Sequence, residues 1–98
     1  MVTEDLSPAL LLTLYRLAEL GAYPNEMQIT TKRLADSLGV SQQTASRHLI
    51  ELQNLGLIRR NRVVRGEAIK VTEKGSSELN RMYLRLRSIF EAKPSEVL

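Results

Sequence analysis

Hydrophobic residues recur at helical spacing over the first twenty positions of the chain. Ser7 is a favourable helix cap and Pro8 a favourable first helical residue, so the pattern predicts a helix that runs to Leu20 and stops at Gly21. One stripe of this helix is apolar, and other apolar residues lie beyond it: the stripe is Leu6, Leu10, Leu14 and Leu17, and the others are Leu11, Leu12 and Ala18. A helix that is apolar most of the way round is buried on more than one side.

Two further helices are predicted close together in the middle of the chain. Each begins after a capping Thr or Ser and ends at a glycine. They are predicted at residues 32–38, after Thr31, and at residues 42–55, after Ser41. A connection of only three residues that contains a glycine is the signature of a helix-turn-helix.

The periodicity then changes from helical to extended. Residues 57–64 and 68–72 are rich in β-branched side chains, and Arg65-Gly66-Glu67 between them is turn-like, so a two-stranded hairpin is predicted. An isolated hairpin is marginal in water. A short strand at residues 27–30 is therefore expected to support it.

A last helix is predicted from a cap at Thr72 or a nearby serine to about Ala92, before Pro94. Its apolar stripe is Leu79, Met82, Tyr83, Leu86, Ile89 and Phe90. The predicted fold class is therefore mainly α with a small β-hairpin: a winged helix-turn-helix with an additional C-terminal helix, over residues 1–92. Residues 93–98 are expected to form a tail or a linker to a second domain.

The helix at residues 42–55 has two unlike faces when its residues are placed 100° apart. The expected core face is Ala45, Leu49, Leu52 and Leu55; the opposite face is Gln43, Arg47, Ile50 and Asn54. In a helix-turn-helix the second helix enters the major groove, where Gln pairs with adenine and Arg with guanine. The predicted DNA contacts of this helix are Ser41, Gln42, Gln43, Thr44, Ser46 and Arg47. The alternative is an ordinary solvated polar face.

The hairpin is strongly basic. Its cations are Arg59, Arg60, Arg62, Arg65, Lys70 and Lys74, against Glu67 and Glu73. We predict phosphate contacts from Arg60, Arg62 and Arg65, because arginines on a wing reach flanking phosphates or the minor groove. The alternative is that charge on an edge strand protects it from aggregation, which accounts more readily for one or two cations than for six.

Charge is unevenly distributed along the 98 residues. The net charge is −3 over residues 1–31, +5 over residues 32–74 and +1 over residues 75–98. A basic middle segment favours a polyanionic partner such as double-stranded DNA. No signal peptide or membrane span is predicted, so a cytoplasmic location without membrane contact is expected.

The composition argues against several kinds of chemistry. The chain has no cysteine and one histidine, which excludes disulfides and nearly excludes a zinc site. His48 has no catalytic constellation around it and is expected to pack or to contact a phosphate. We therefore predict no catalytic residue, no metal and no cofactor.

The segment 34–52, LADSLGVSQQTASRHLIEL, together with LGLI at 55–58 and VTEKG at 71–75, resembles the winged-helix regulator superfamily. A closer resemblance, carried by SQQTASR at 41–47, Lys74-Gly75 and the stretch from Tyr83 to Phe90, is to the N-terminal domain of archaeal CTP-dependent riboflavin kinases. That family implies a transcriptional regulator that precedes a kinase converting riboflavin to FMN. The nucleotide- and metal-binding segments of the kinase are not in this chain, so no kinase residue carries over.

Two functions remain as alternatives. The favoured one is a sequence-specific duplex-DNA binder that regulates transcription, as the regulatory module of a longer kinase. The other is a winged helix that binds protein and never meets DNA. The first and last helices carry more apolar surface than one core needs, so either a homodimer or docking to a C-terminal kinase domain is expected there.

Overall fold

The computed structural model describes residues 6–92, so the predicted tail at 93–98 lies outside the described residues. The order of elements is α1, β1, α2, α3, β2, β3 and α4. The helices are α1 (Pro8–Leu17), α2 (Thr31–Leu38), α3 (Gln42–Asn54) and α4 (Glu73–Ala92); the strands are β1 (Met27–Ile29), β2 (Ile58–Arg62) and β3 (Glu67–Val71). The predicted winged helix-turn-helix with an additional C-terminal helix is confirmed.

The first helix ends earlier than the apolar pattern predicts. The α-helical part stops at Leu17, and a single π-helical turn, Ala18–Ala22, comes after it. Gly21 in this turn has φ of 127°, which L side chains rarely adopt, so the wide turn depends on a glycine. The turn directs Ala22 into the core, where it is fully buried.

The helix-turn-helix is defined by its caps. Thr30 accepts a hydrogen bond from the amide of Arg33, so the cap of α2 is Thr30 and not Thr31 as predicted. Gly39 ends α2 in the left-handed conformation, with φ of 71°. Ser41 caps α3 through the amide of Thr44, as predicted.

The three strands form one antiparallel sheet in the order β1-β3-β2. Ile58 lies opposite Val71 and Arg62 opposite Glu67, while Met27 lies opposite Ile69 on the other side of β3. The expected strand at the N-terminal side therefore supports the hairpin. Because β1 covers one edge of β3 and β2 the other, β3 is the central strand of this sheet.

A single core joins the helices to the inner face of the sheet. Its fully buried side chains include Leu14, Leu17, Leu34, Leu49, Leu52, Leu57, Ile69 and Val71. The predicted core face of α3 is correct for three of its four residues. Leu55 is the exception: it lies where α3 ends, and it is 43% exposed.

The start of α4 is fixed against the end of α3. The Thr72 hydroxyl accepts from the amide of Gly75 and donates to the carbonyl of Gly56, which confirms the predicted cap. A Cβ at Gly75 would lie 2.3 Å from the Leu57 carbonyl oxygen, so only glycine fits this approach. Lys74 donates to the Leu55 carbonyl at 2.9 Å.

The far end of α4 is not covered by the rest of the described chain. Leu79 and Met82 are half-buried, but the remaining members of the predicted apolar stripe are exposed: Tyr83, Leu86, Ile89 and Phe90. The described residues extend over 53 × 31 × 23 Å. None of the helices within residues 6–92 combines the length and the apolar run that crossing a membrane requires.

Candidate nucleic-acid interface

The outward face of α3 is the centre of the candidate interface. Gln43, Arg47, Ile50 and Asn54 are all exposed, on the side of the helix away from the core. Gln and Arg can each make bidentate contacts to a purine, and an exposed Ile can contact a thymine methyl group. The structure thus places polar side chains that can contact bases around one apolar residue on the outward face of α3.

The N-terminus of α3 is partly occupied by its own cap. The Ser41 Oγ accepts from the Thr44 amide at 3.1 Å and donates to the Thr44 Oγ1 at 3.0 Å. These two predicted DNA contacts are therefore paired with each other. Gln42 beside them is exposed, and Ser46 is half-buried. The first amides of a helix form a site that favours a phosphate.

Arg60 is held by other residues of the protein. Its guanidinium donates to both carboxylate oxygens of Glu67, at 2.6 and 2.7 Å, and to the Gln53 side chain at 3.2 Å. Hydrogen bonding to Glu67 raises the pKa of Arg60, burial opposes this rise, and the charge of Glu67 adds to it. The structure thus shows Arg60 as a bridge from β2 to β3 and α3, and its predicted phosphate contact stays a prediction.

Arg62 lies on the same face of the hairpin as Arg60, because side chains two residues apart share a face. Arg60 touches Gln53 of α3, so this face is on the α3 side. Arg62, the last residue of β2, is exposed. The structure therefore brings an exposed guanidinium to the side of the wing that faces the recognition helix.

The tip of the hairpin is pinned to the first strand. Gln28 of β1 donates to the Arg65 carbonyl at 2.7 Å. Gly66 has φ of 85°, and a Cβ there would lie 2.5 Å from the Ile29 carbonyl oxygen. The backbone of Arg65 is thus held against β1, while the Arg65 side chain is exposed.

Arg33 belongs to this surface, although the sequence pattern did not single it out. It lies in the first turn of α2 and lines one shallow groove with Arg65 and Gln28. The first helix of a helix-turn-helix crosses the DNA backbone. The basic charge of residues 32–74 was a signal for Arg33, but only the structure shows that it lines a groove with Arg65 of the hairpin tip.

His48 packs against α1. Its Nδ1 lies 3.2 Å from the Thr13 hydroxyl, which itself donates to the Ala9 carbonyl at 2.9 Å. Because the single hydroxyl proton goes to Ala9, the hydroxyl accepts from His48, whose Nδ1 then carries the hydrogen. The packing interpretation of His48 is the one that this geometry favours.

The basic residues of the hairpin thus fall into three groups. Arg62 and Arg65 are exposed on the α3 side or at the tip, and Arg60 and Lys74 are bound within the protein. Arg59 and Lys70 lie opposite each other on the outer face of the sheet.

Comparisons with known proteins agree with this architecture. The family model described as the Crp-like helix-turn-helix domain matches residues 9–73. Riboflavin kinases of Methanocorpusculum labreanum and Thermoplasma acidophilum are each 36% identical to this chain over 83 residues. The similarity covers 85% of this chain but only 37% and 38% of those proteins, so the chain spans little more than a third of their length. The sequence resemblance to winged-helix regulators and archaeal riboflavin kinases is confirmed.

Several solved transcription regulators have a similar structure. MepR of Staphylococcus aureus, a regulator of the multidrug efflux pump MepA, superposes with a TM-score of 0.80 at 20% identity, over 94% of this chain and 66% of MepR. MosR of Mycobacterium tuberculosis gives 0.71 at 22%, over 95% and 64%. A MepR mutant bound to an oligodeoxyribonucleotide gives 0.78 at 18%, over 92% and 64%. At such identities the likeness shows the fold.

Proposed function

The chain belongs to the Crp-like helix-turn-helix family, and from this we propose that it binds double-stranded DNA sequence-specifically as a transcription regulator. The observation that carries the proposal is the outward face of α3, where Gln43, Arg47 and Asn54 are exposed around Ile50. This face is opposite a fully buried stripe, so the helix is fixed to the body while its polar side faces outward.

In this proposal α3 lies in the major groove. Gln43 and Arg47 are one helical turn apart, so both reach base edges from the same side of the helix. Ser41, Gln42, Thr44 and Ser46 surround the helix N-terminus, where its amides and hydroxyls meet a backbone phosphate. Ser41 and Thr44 contribute by holding the first turn in place.

The wing contacts phosphates through Arg62 and Arg65, and Arg33 of α2 joins them beside the hairpin tip. Arg60 acts through its neighbours: by pairing with Glu67 and Gln53 it fixes the distance between the wing and α3. Phosphate contacts set affinity, whereas base contacts set preference.

The experiment is fluorescence anisotropy of the chain on duplexes selected from a random pool, over a salt series. We expect the chain to bind a selected site well above random DNA, with a log–log salt slope of about −4 or −5, since each neutralised phosphate contributes roughly 0.9. Equal affinity for selected and random duplexes, or a flat salt response, contradicts the proposal.

Single substitutions assign the roles. Arg47→Ala is expected to cost about 1–3 kcal/mol on the selected site and to relax one base position. Arg62→Ala is expected to weaken all duplexes alike. The matched control is Arg87→Ala, an exposed arginine of α4 that is paired with Glu91 at 2.9 Å and lies outside the candidate interface. If Arg87→Ala lowers DNA affinity while Arg47→Ala and Arg62→Ala do not, the assigned binding face is wrong.

A second function is favoured by the exposed apolar surface of the two outer helices. Leu12 and Tyr15 of α1 line one groove of about 660 Å³ with Tyr83 and Leu86 of α4. We propose that this face is an interface, either with a second copy of the chain or with a further domain of a longer polypeptide. A surface of this kind on one domain marks an interaction site.

Sedimentation equilibrium over a concentration series separates the two occupants. A mass that rises with concentration in the unsubstituted chain, and stays lower in Leu86→Glu, supports a second copy. Val64→Glu is the control, because Val64 is fully exposed but lies on the hairpin. A monomer at every concentration supports a further domain, and the test is then whether a longer polypeptide covers the same groove.

The riboflavin kinase relatives indicate what a longer polypeptide would be. We propose that the chain is the regulatory module of a bifunctional regulator and CTP-dependent riboflavin kinase, in which the catalytic residues lie in the other part. The chain alone is then expected to show no CTP-dependent phosphorylation of riboflavin. Any such turnover contradicts this division of roles.

A further inference from the structure

The outer face of the sheet carries two cations directly opposite each other. Arg59 of β2 pairs in register with Lys70 of β3, and both are exposed while their neighbours Ile58 and Val71 are buried. Like charges directly opposite each other in an antiparallel sheet are destabilising. Protection of an edge strand explains Arg59 on β2, but not Lys70, because β3 is the central strand.

These two cations line a groove with a third. The groove has a volume of about 670 Å³, and its lining includes Lys74 and Tyr23, which is 45% exposed. Among the described residues of this lining, Glu73 is the one acid, so the cations exceed the anions by three to one. Ligand pockets of proteins are typically roughly 300–1,000 Å³.

The groove is separate from the proposed DNA face. Arg59 and Lys70 are on the opposite side of the hairpin from Arg62, because adjacent residues of a strand alternate between faces. Lys74 and Thr72 donate to the carbonyls of Leu55 and Gly56, the two residues that follow α3, so the groove lies at the far end of that helix from Ser41. A helix of 13 residues is about 20 Å long.

We propose that this groove binds a small phosphate-bearing ligand of the nucleoside monophosphate class. The phosphate is held between Arg59 and Lys70, where it removes the repulsion of the cross-strand pair. Arg presents two parallel donors to a phosphate, and Lys adds a point charge. The planar base lies against Tyr23, the aromatic residue of the lining.

The test is a titration of the ¹⁵N-labelled chain with adenosine monophosphate, monitored through amide shifts. We expect saturable shifts at Tyr23, Lys70 and Thr72, and about tenfold weaker binding in both Arg59→Gln and Lys70→Gln, as for loss of a charge-assisted hydrogen bond. Adenosine without a phosphate is expected not to saturate. Absence of saturable shifts with the monophosphate, or equal binding of adenosine, overturns the proposal.

Two variants with opposite expected effects distinguish binding at this groove from binding to DNA. Arg59→Gln is expected to weaken nucleotide binding and to leave duplex affinity within about twofold, whereas Arg62→Gln is expected to do the reverse. Groove shifts that occur only with duplex DNA overturn the proposal, since the groove then belongs to the DNA surface. If the chain binds the nucleotide but no duplex DNA, the proposed function is contradicted and this inference is supported.

Discussion

Helices α3 and α4 have similar apolar stripes in the sequence, but the two stripes differ in how far the structure buries them. The stripe of α3 is fully buried at Ala45, Leu49 and Leu52, whereas the stripe of α4 becomes more exposed towards its end, up to 74% at Phe90. The same helical period therefore predicts both helices. It does not reveal whether the chain itself covers the apolar side.

The difference separates two kinds of apolar residue. Those of α3 stabilise the fold, and through it they orient the outward polar face. Those in the second half of α4 are largely exposed within residues 6–92 and contribute less to the fold, as the proposed interface would require.

The sharpest way to test this difference is to truncate one leucine in each helix. Leu52→Ala is expected to lower the free energy of unfolding by about 2–5 kcal/mol, because it opens a cavity in the core. Leu86→Ala is expected to cost less than about 1 kcal/mol in dilute solution, since Leu86 is 48% exposed. Urea unfolding measures both, and similar losses contradict the comparison.

The junction between the body and α4 gives the next largest effect. A Cβ at Gly75 would meet the Leu57 carbonyl oxygen and, at 2.8 Å, the Val71 Cγ1. Gly75→Ala is therefore expected to cost about 1–3 kcal/mol by overpacking, although alanine is the better helix former. Ser77→Ala, at an exposed position two residues further on, is the control and is expected to change the unfolding midpoint little. Stabilisation by Gly75→Ala shows that α4 is not seated on Leu57.

An ion pair from each region provides a third test. The side chains of Arg60 and Glu67 are 17% and 20% exposed, and those of Arg87 and Glu91 are 53% and 64% exposed. Glu67→Gln is expected to cost about 1–2 kcal/mol, because it leaves the Arg60 charge poorly compensated. Glu91→Gln is expected to cost less than about 0.5 kcal/mol. Equal effects in thermal unfolding contradict the bridging role of Arg60.

The smallest effect is expected at the cap of α3. Ser41→Ala removes the acceptor of the Thr44 amide and is expected to cost about 1 kcal/mol. The control is Ser88→Ala, since Ser88 lies within α4 and is exposed. Denaturant unfolding of the two variants measures the free energy of unfolding. If Ser41→Ala does not lower it, the Ser41 hydroxyl is not needed as a cap and is available for a DNA contact.

Most of the fold could be predicted because its signals are local. Capping residues, stopping glycines and changes of hydrophobic period act within one helical turn, and they predicted the helix-turn-helix and the hairpin. The π-helical turn after Leu17 was missed, since nothing in the local pattern distinguishes it from a continuing helix. The predicted burial of Leu55 was wrong because the exposure of a residue at a helix end depends on where the next segment of the chain runs.

The candidate site was predictable only in part, for a related reason. The outward face of α3 can be derived from helical geometry alone. The pairing of Arg60 with Glu67 depends on the register of β2 against β3, which the residue types do not specify. Arg33 lines a groove with Arg65 only because Gln28 and the close approach of Gly66 hold the hairpin tip against β1.

The length of α4 has a mechanical consequence for a dimer built on it. The twenty residues from Glu73 extend about 30 Å, so a tilt of only about 10° moves the far end by about 5 Å. Neighbouring base pairs are about 3.4 Å apart, and half-sites are read about one helical turn apart. A rotation too small to disturb the core would thus shift two recognition helices by more than one base pair, and α4 would act as a lever that sets which operator spacing the dimer can read.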